Sequence, residues 1–229
     1  MRIESLNVWG GKIREVLSQY IKKRSSVIDV FFFQEADKNF PEMANVLLRN
    51  FNRFDGYKYV NEDDFFPQAT FVRKELDVIH TGTVLENTPN MGLGLVTKIK
   101  KENRDITLVN VHGISRPGNK KDSEERLRQS QGIIDHLKNE NGLVVVGGDF
   151  NLDKDTKSVD LFEEAGYRNL IKEFKIRTTR NRLVWEKFPN NPQYHSNFMF
   201  VRNVEVVDFQ VTENEVSDHL PMILEIKDN

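Results

Sequence analysis

The chain has 229 residues, a net charge of −2, 38% hydrophobic and 30% charged residues, 16 Phe and no Cys. That size suits one domain with a substantial core and an ordinary soluble surface, and the missing Cys excludes disulfides, thiolate metal sites and cysteine nucleophiles. The near-neutral balance argues against coating nucleic acid by bulk charge, although a local basic groove stays open.

The N-terminal segment from Met1 to Asn7 contains an acid and reads as a strand over 2–8 rather than a leader. A helix over 12–23 follows Gly10 and Gly11. Residues 27–34 form a nearly continuous apolar run, as expected of a strand buried on both faces. The spacing predicts a helix over 39–50, then strands over 57–61, 68–74, 76–85, 92–100 and 104–111, punctuated by Gly82, Asn90, Gly92 and Asn103. Asp122 and Ser123 are good N-caps for a helix with Glu124 and Glu125 in its first turn, apolar positions Leu127, Ile133, Ile134 and Leu137, and Gly142 to close it. A strand over 143–148, a short helix over 157–165, a polar loop and strands over 197–202, 204–212 and 221–226 complete the chain. No apolar run approaches the roughly 20 residues of a membrane helix. Without repeats or a Pro/Gly/Ser-rich linker, one domain over 1–229 is expected, in the cytoplasm, with no stable membrane association and no evident obligate protein partner.

The chemistry-bearing residues all stand at strand ends, where loops place sites on a rigid frame. Asn7 ends the first strand and Gln34-Glu35 the second. Asn110-Val111-His112 ends a middle strand, Gly148-Asp149-Phe150-Asn151 follows Val144-Val145-Val146, and Ser217-Asp218-His219 precedes the last strand. Any one of these is ordinarily a turn residue or the first solvated position after a strand. Together, hard oxygen ligands, amides and two imidazoles are what a Mg²⁺-assisted phosphoryl site requires.

This ordered set resembles the endonuclease/exonuclease/phosphatase superfamily, and the match runs from residue 5 to 221. The resemblance implies an α/β fold, a four-layer α/β/β/α sandwich of two mixed, mainly antiparallel sheets flanked by helices, with the site at one end. It implies Mg²⁺ (or Mn²⁺) held chiefly by Glu35 with Asn7 and Asp218 nearby. Asp149 would orient or deprotonate the attacking water, Asn151 would hold the phosphate, and His112 and His219 would stabilise charge or assist the leaving group. Phosphoryl transfer depends mostly on positioning and electrostatics, which suits this inventory.

One position departs from the family pattern. Asn197, in His195-Ser196-Asn197-Phe198, stands where an Asp is expected. Its amide oxygen can accept a hydrogen bond from His219 but contributes no charge. For substrate contact, Trp9, Arg116 in the basic loop after His112, and Arg177 and Arg180 in the acid-free run 175–182 are the candidates. The only weak apolar hairpin for a lipid surface is Asp64-Phe65-Phe66-Pro67. The expected function is metal-dependent phosphoester hydrolysis, nuclease-like on DNA or RNA. The alternatives are a small-molecule or lipid-headgroup phosphodiesterase or phosphatase, and a weakened phosphate-binding protein on the same fold.

Overall fold

A computed structural model describes residues 1–60, 65–101, 104–190 and 192–227. Two six-stranded sheets lie face to face with helices outside them. The first sheet contains β1 (Arg2–Asn7), β2 (Val30–Gln34), β3 (Phe51–Gly56), β4 (Gln68–Arg73), β11 (Glu205–Val211) and β12 (Met222–Lys227), in the order β11-β12-β1-β2-β4-β3. The second contains β5 (Asp77–Val84), β6 (Leu93–Lys101), β7 (Arg104–His112), β8 (Leu143–Asp149), β9 (Arg168–Asn169) and β10 (Asn197–Arg202), in the order β5-β6-β7-β8-β10-β9. One parallel pair sits at the centre of each, β1 with β2 and β7 with β8, and every other pairing is antiparallel. This is the expected mixed, mainly antiparallel sandwich.

Alternation along the strands builds the layers, because successive side chains point to opposite faces. In β2, Val30 and Phe32 face the core between the sheets, whereas Phe31 and Phe33 join an outer core with Leu17 and Ile21 of α1 (Arg14–Arg24) and Phe40, Met43 and Ala44 of α2 (Phe40–Leu47). Across the second sheet, Ile133, Ile134 and Leu137 of α3 (Glu124–Leu137) and Val159 and Phe162 of α4 (Lys157–Glu164) pack on its outer face. Ser123 caps α3 as expected, its side chain accepting from the Arg126 N–H at 3.3 Å.

Near the site end a polar seam crosses the sandwich. Gln34 Nε2 donates to Asn110 Oδ1 at 2.6 Å, and Asn110 Nδ2 donates to the carbonyls of Phe33 and Ala69 at 3.2 Å each. Buried amides satisfied this way hold the two sheets in a single register.

Several boundaries differ from the sequence expectation. The helix expected over 39–50 ends at Leu47, and β3 occupies 51–56 in place of the strand expected over 57–61, where Tyr59 makes an isolated bridge to Phe65. Gly82 lies inside β5 rather than at a turn. Gly142 does not close α3, which ends at Leu137. It directly precedes β8, and a Cβ on it would lie 2.2 Å from the Asp105 carbonyl oxygen. The region read as a polar loop contains β9, α5 (Leu170–Glu173) and α6 (Arg182–Lys187). Asp64 and Asn103, and the last residue of the strand expected over 57–61, lie outside the described residues. Among those described, no helix is long and apolar enough to cross a membrane.

Candidate active site

Strand register brings the distant motifs together. In the parallel pairs Asn7 lies opposite Gln34 and His112 opposite Asp149, and β10 runs antiparallel to β8 with Asn197 opposite Asp149. The loop before β12 adds Asp218 and His219. Gly148, with φ 145°, turns the chain into Asp149; a Cβ there would lie 2.0 Å from the Val111 carbonyl oxygen, so only glycine fits. Trp9, Glu35, Lys120 and Asn151 all adopt left-handed backbone, with φ between 51° and 57°. Such conformations cost of order 1 kcal/mol each and persist where surrounding packing imposes them.

Asp149 is 2% exposed and surrounded by donors. Asn7 Nδ2 reaches its Oδ2 at 2.9 Å, while Ser196 Oγ and the Asn151 N–H reach Oδ1 at 2.5 and 3.0 Å. Burial disfavours the charged carboxylate. Against it stand His219 once protonated, Lys120, His112 once protonated, and Arg180, whose charges hold Asp149 well below the usual carboxylate range. Burial lowers both imidazoles to about 4, with Arg180 also lowering His219 and Lys120 also lowering His112. Near neutral pH the rings are therefore uncharged, and Lys120 and Arg180 supply the positive field on Asp149.

Asn7 also donates through Nδ2 to Glu35 Oε1 at 3.0 Å, and its Oδ1 accepts the Trp9 N–H at 3.0 Å. It thus presents its amide hydrogens to both carboxylates, and its oxygen is already engaged. Glu35 is raised by burial and by the neighbouring charge of Asp149, against the Asn7 hydrogen bond. It lines a cavity of about 350 Å³ with Asp37, Lys38, Phe65, Phe66, His112 and others. Among the described residues the buried His112 Nδ1 has no partner, and its ring meets Phe66 edge-on at 5.1 Å.

On the other side of Asp149, His219 Nε2 lies 3.5 Å from Asp149 Oδ2, and His219 Nδ1 is 2.6 Å from Asn197 Oδ1, the contact expected of that amide. Arg180 is 5% exposed and spans Asp218 Oδ2 at 3.1 Å and His219 Nε2 at 2.8 Å. The structure therefore engages Asp218 with Arg180. Among the described residues, no three His, Asp or Glu side chains converge as a ready-made metal cage.

The other candidates diverge. Asn151 is held by Nδ2 donating to the Gly113 carbonyl at 2.8 Å and by Lys120 Nζ donating to its Oδ1. Trp9 is half-buried, with Lys12 Nζ 4.1 Å from its ring centroid. Arg116 is exposed on the basic loop. Arg177 lines a neighbouring groove of about 410 Å³ with Lys120, Tyr194 and His195, and Arg182 pairs outward with Glu186 and Glu215. Sequence reasoning did not single out Lys120, Ser196 or Arg126. Arg126 is wholly buried and donates to the carbonyls of Ser115, Pro117 and Lys121, bracing the loop that delivers Lys120. Only its place in an amphipathic helix marked it, and that position reads equally well as solvated.

The neutral buried imidazoles give a pH signature. Between about pH 6.5 and 4 the unfolded chain binds protons that folded His112 and His219 refuse, so acidification favours unfolding. Each ring contributes at most about 3 kcal/mol of this loss. Urea midpoints should fall steeply over that range, and His112→Gln should flatten the slope. An unchanged slope in the variant would remove His112 from the account.

The comparisons agree with this architecture. The endonuclease/exonuclease/phosphatase family profile matches residues 5–219. No curated protein matches the chain. Similar solved structures include an endonuclease/exonuclease/phosphatase from Bacteroides vulgatus, with TM-score 0.77 and 17% identity over 99% of this chain and 98% of that one. A humanized D. rerio TDP2 matches with TM-score 0.78 and 17% identity over 100% and 99%. A mannosyl-6-phosphatase from Bacteroides thetaiotaomicron matches with TM-score 0.71 and 17% identity over 99% of each. At these identities the neighbours speak for the fold, and the family profile, spanning nearly the whole chain, identifies this protein as a member of the endonuclease/exonuclease/phosphatase family.

Proposed function

We propose that this protein is a divalent-metal-dependent phosphodiester hydrolase with nuclease-like action on DNA or RNA. The observation that carries the reading is Asp149. It is a buried, ionised carboxylate aimed by Asn7, Ser196 and the Asn151 N–H, placed between His219 and the Glu35–His112 cavity. A carboxylate held so low is a weak base, so its work is to orient the attacking water and receive the proton as the P–O bond breaks. Glu35 fits Mg²⁺ or Mn²⁺: it is a hard oxygen donor whose charge burial leaves poorly compensated, beside open volume. One carboxylate completed by waters and substrate phosphate is an ordinary Mg²⁺ arrangement. When bound, the ion supplies Lewis acidity and a lowered pKa for water. Asn7 keeps Glu35 and Asp149 at a fixed separation, and the His112 ring lines the same cavity as Glu35.

Aromatic side chains at the cavity mouth favour a nucleic acid. Phe65 stacks on Tyr59 at 4.1 Å and on Tyr57 at 6.3 Å, and Tyr59 is 74% exposed. Exposed stacked rings suit unpaired bases. The second reading, a small-molecule phosphatase, is the other activity that the family's description includes. The test is hydrolysis of bis(p-nitrophenyl) phosphate, single- and double-stranded DNA, RNA, sphingomyelin and mannose 6-phosphate with Mg²⁺ or Mn²⁺, each with an EDTA control. EDTA-sensitive cleavage of the diesters supports the proposal. Inertness toward all of them sinks it, and cleavage of the monoester alone moves the assignment to the second reading.

Lys120 is the cation that donates to Asn151 Oδ1. Burial lowers it to about 8, against the charge of Asp149 and with that of Arg180. It is charged at neutral pH and loses its proton as pH rises through that value. We expect kcat/KM to fall with an alkaline limb near pH 8 that Lys120→Arg displaces upward. The same limb in both proteins would show that Lys120 is not the titrating group.

A further inference from the structure

Arg180 occupies a position that the proposed hydrolase chemistry does not yet use. Its Nη1 lies 2.8 Å from His219 Nε2. A guanidinium has only donors, so Nε2 must present its lone pair. The ring proton therefore sits on Nδ1, and Asn197 must turn its oxygen, not its NH₂, toward Nδ1 at 2.6 Å. Only this assignment satisfies both contacts, and it leaves Asn197 Nδ2 buried without a partner among the described residues. His219 consequently has no proton on the nitrogen that faces Asp149, and Asn197 has no charge with which to place one there. The positive charge in this corner belongs to Arg180.

Its placement is rigid. The backbone of Arg180 bridges to that of His219, the Leu220 N–H donates to the Thr179 carbonyl at 2.9 Å, and Thr178 Oγ1 donates to the Arg180 carbonyl at 2.8 Å. Asp218 holds Nη2 at 3.1 Å. The Nε–H is buried with no partner among the described residues, and each Nη carries a second hydrogen. Fixed donors with unspent hydrogens beside the water-orienting carboxylate are what an anionic transition state needs.

Building on the hydrolase reading, we propose that Arg180 is a catalytic residue that stabilises the departing oxygen of a phosphodiester, a task that His219 cannot perform while its Nε2 presents a lone pair to the guanidinium. The water oxygen bonds to phosphorus as the ester P–O bond breaks, with its electron pair leaving on the alkoxide. The water proton goes to Asp149. The alkoxide, held by Arg180 N–H groups, takes a proton from a solvent water, and the resulting hydroxide recovers the proton from Asp149. One water is consumed and both side chains return to their starting states. His219, in this account, is a positioning residue that aims the guanidinium.

A leaving-group series separates this role from simple binding. Diesters with a p-nitrophenyl leaving group need little help, whereas sugar or alkyl leaving groups need much. Arg180→Met should lower kcat on a dinucleotide by roughly 100-fold or more, with a much smaller loss on the p-nitrophenyl ester. Arg180→Lys, which keeps charge without the fork and protects against loss of folding, should fall between. In the Arg180→Met background, Asn197→Asp should recover activity on the dinucleotide, because a carboxylate on Nδ1 lets the ring carry a proton on Nε2. Independently of turnover, ¹⁵N–¹H correlation of the His219 ring in the unliganded protein should show Nδ1 protonated and Nε2 bare at neutral pH. Equal losses across the leaving groups, no recovery in the double variant, or a protonated Nε2 would each overturn the proposal. A wild-type protein inert toward every diester would remove the hydrolase reading with it, whereas an active wild type matched by Arg180→Met removes this inference alone.

Discussion

Asp149→Asn is expected to lower turnover on the order of 10⁴-fold, the scale seen when a buried carboxylate is amidated in a hydrolytic site. The exchange preserves volume but gives an NH₂ group to a position where Asn7 Nδ2, Ser196 Oγ and the Asn151 N–H already donate. Part of that network must reorient, and no group remains to take the proton of the attacking water. Affinity for a phosphodiester should hold or increase, since removing the carboxylate leaves Lys120 and Arg180 less compensated. Single-turnover kinetics on DNA, paired with fluorescence anisotropy for binding and circular dichroism for folding, separate these effects. A folded variant that cleaves at more than a tenth of the wild-type rate would take the water-orienting role away from Asp149.

Glu35→Gln should cost about 10³-fold in kcat/KM, corresponding to the several kcal/mol of charge stabilisation a bound metal ion contributes. Gln can still accept the Asn7 hydrogen bond seen at 3.0 Å, so the site should keep its shape while losing its anionic oxygen. Mn²⁺ should restore little. Binding of Mn²⁺, followed by the loss of its free-ion electron paramagnetic resonance signal, gives a readout that does not depend on catalysis. Unchanged Mn²⁺ affinity in the variant, or full wild-type activity in EDTA, would end the assignment of the metal to Glu35.

These two residues were legible from sequence for a simple reason. Each follows a short, strongly apolar strand, Val30–Gln34 before Glu35 and the run ending at Gly148 before Asp149. A polar side chain at the end of a buried strand stands where the core stops and a site can begin. Strand boundaries also placed Asn7 and His112, at the ends of β1 and β7, and the Asp218-His219 pair, shortly before β12. β3 escaped because it is an edge strand. Phe51-Asn52-Arg53-Phe54-Asp55-Gly56 lacks a clean alternation, and pairing with β4 alone makes it a strand. The short helices α5 and α6 escaped because they have too few turns to display a period.

The order of motifs along the chain, and the covalent identity of each side chain, determined the family, the sandwich and the list of groups at its open end. Which atom each group turns to its neighbour was decided by tertiary structure. Asn7 gives its hydrogens to two carboxylates because the Trp9 N–H claims its oxygen. Asp218 faces Arg180, and Lys120 reaches Asn151 from a loop braced by the buried Arg126. Hydrogen-bond direction and charge pairing depend on partners tens to hundreds of residues away, and they acquire definite values only when burial removes water as the alternative partner. A linear sequence carries the donors and acceptors; only packing assigns them to one another.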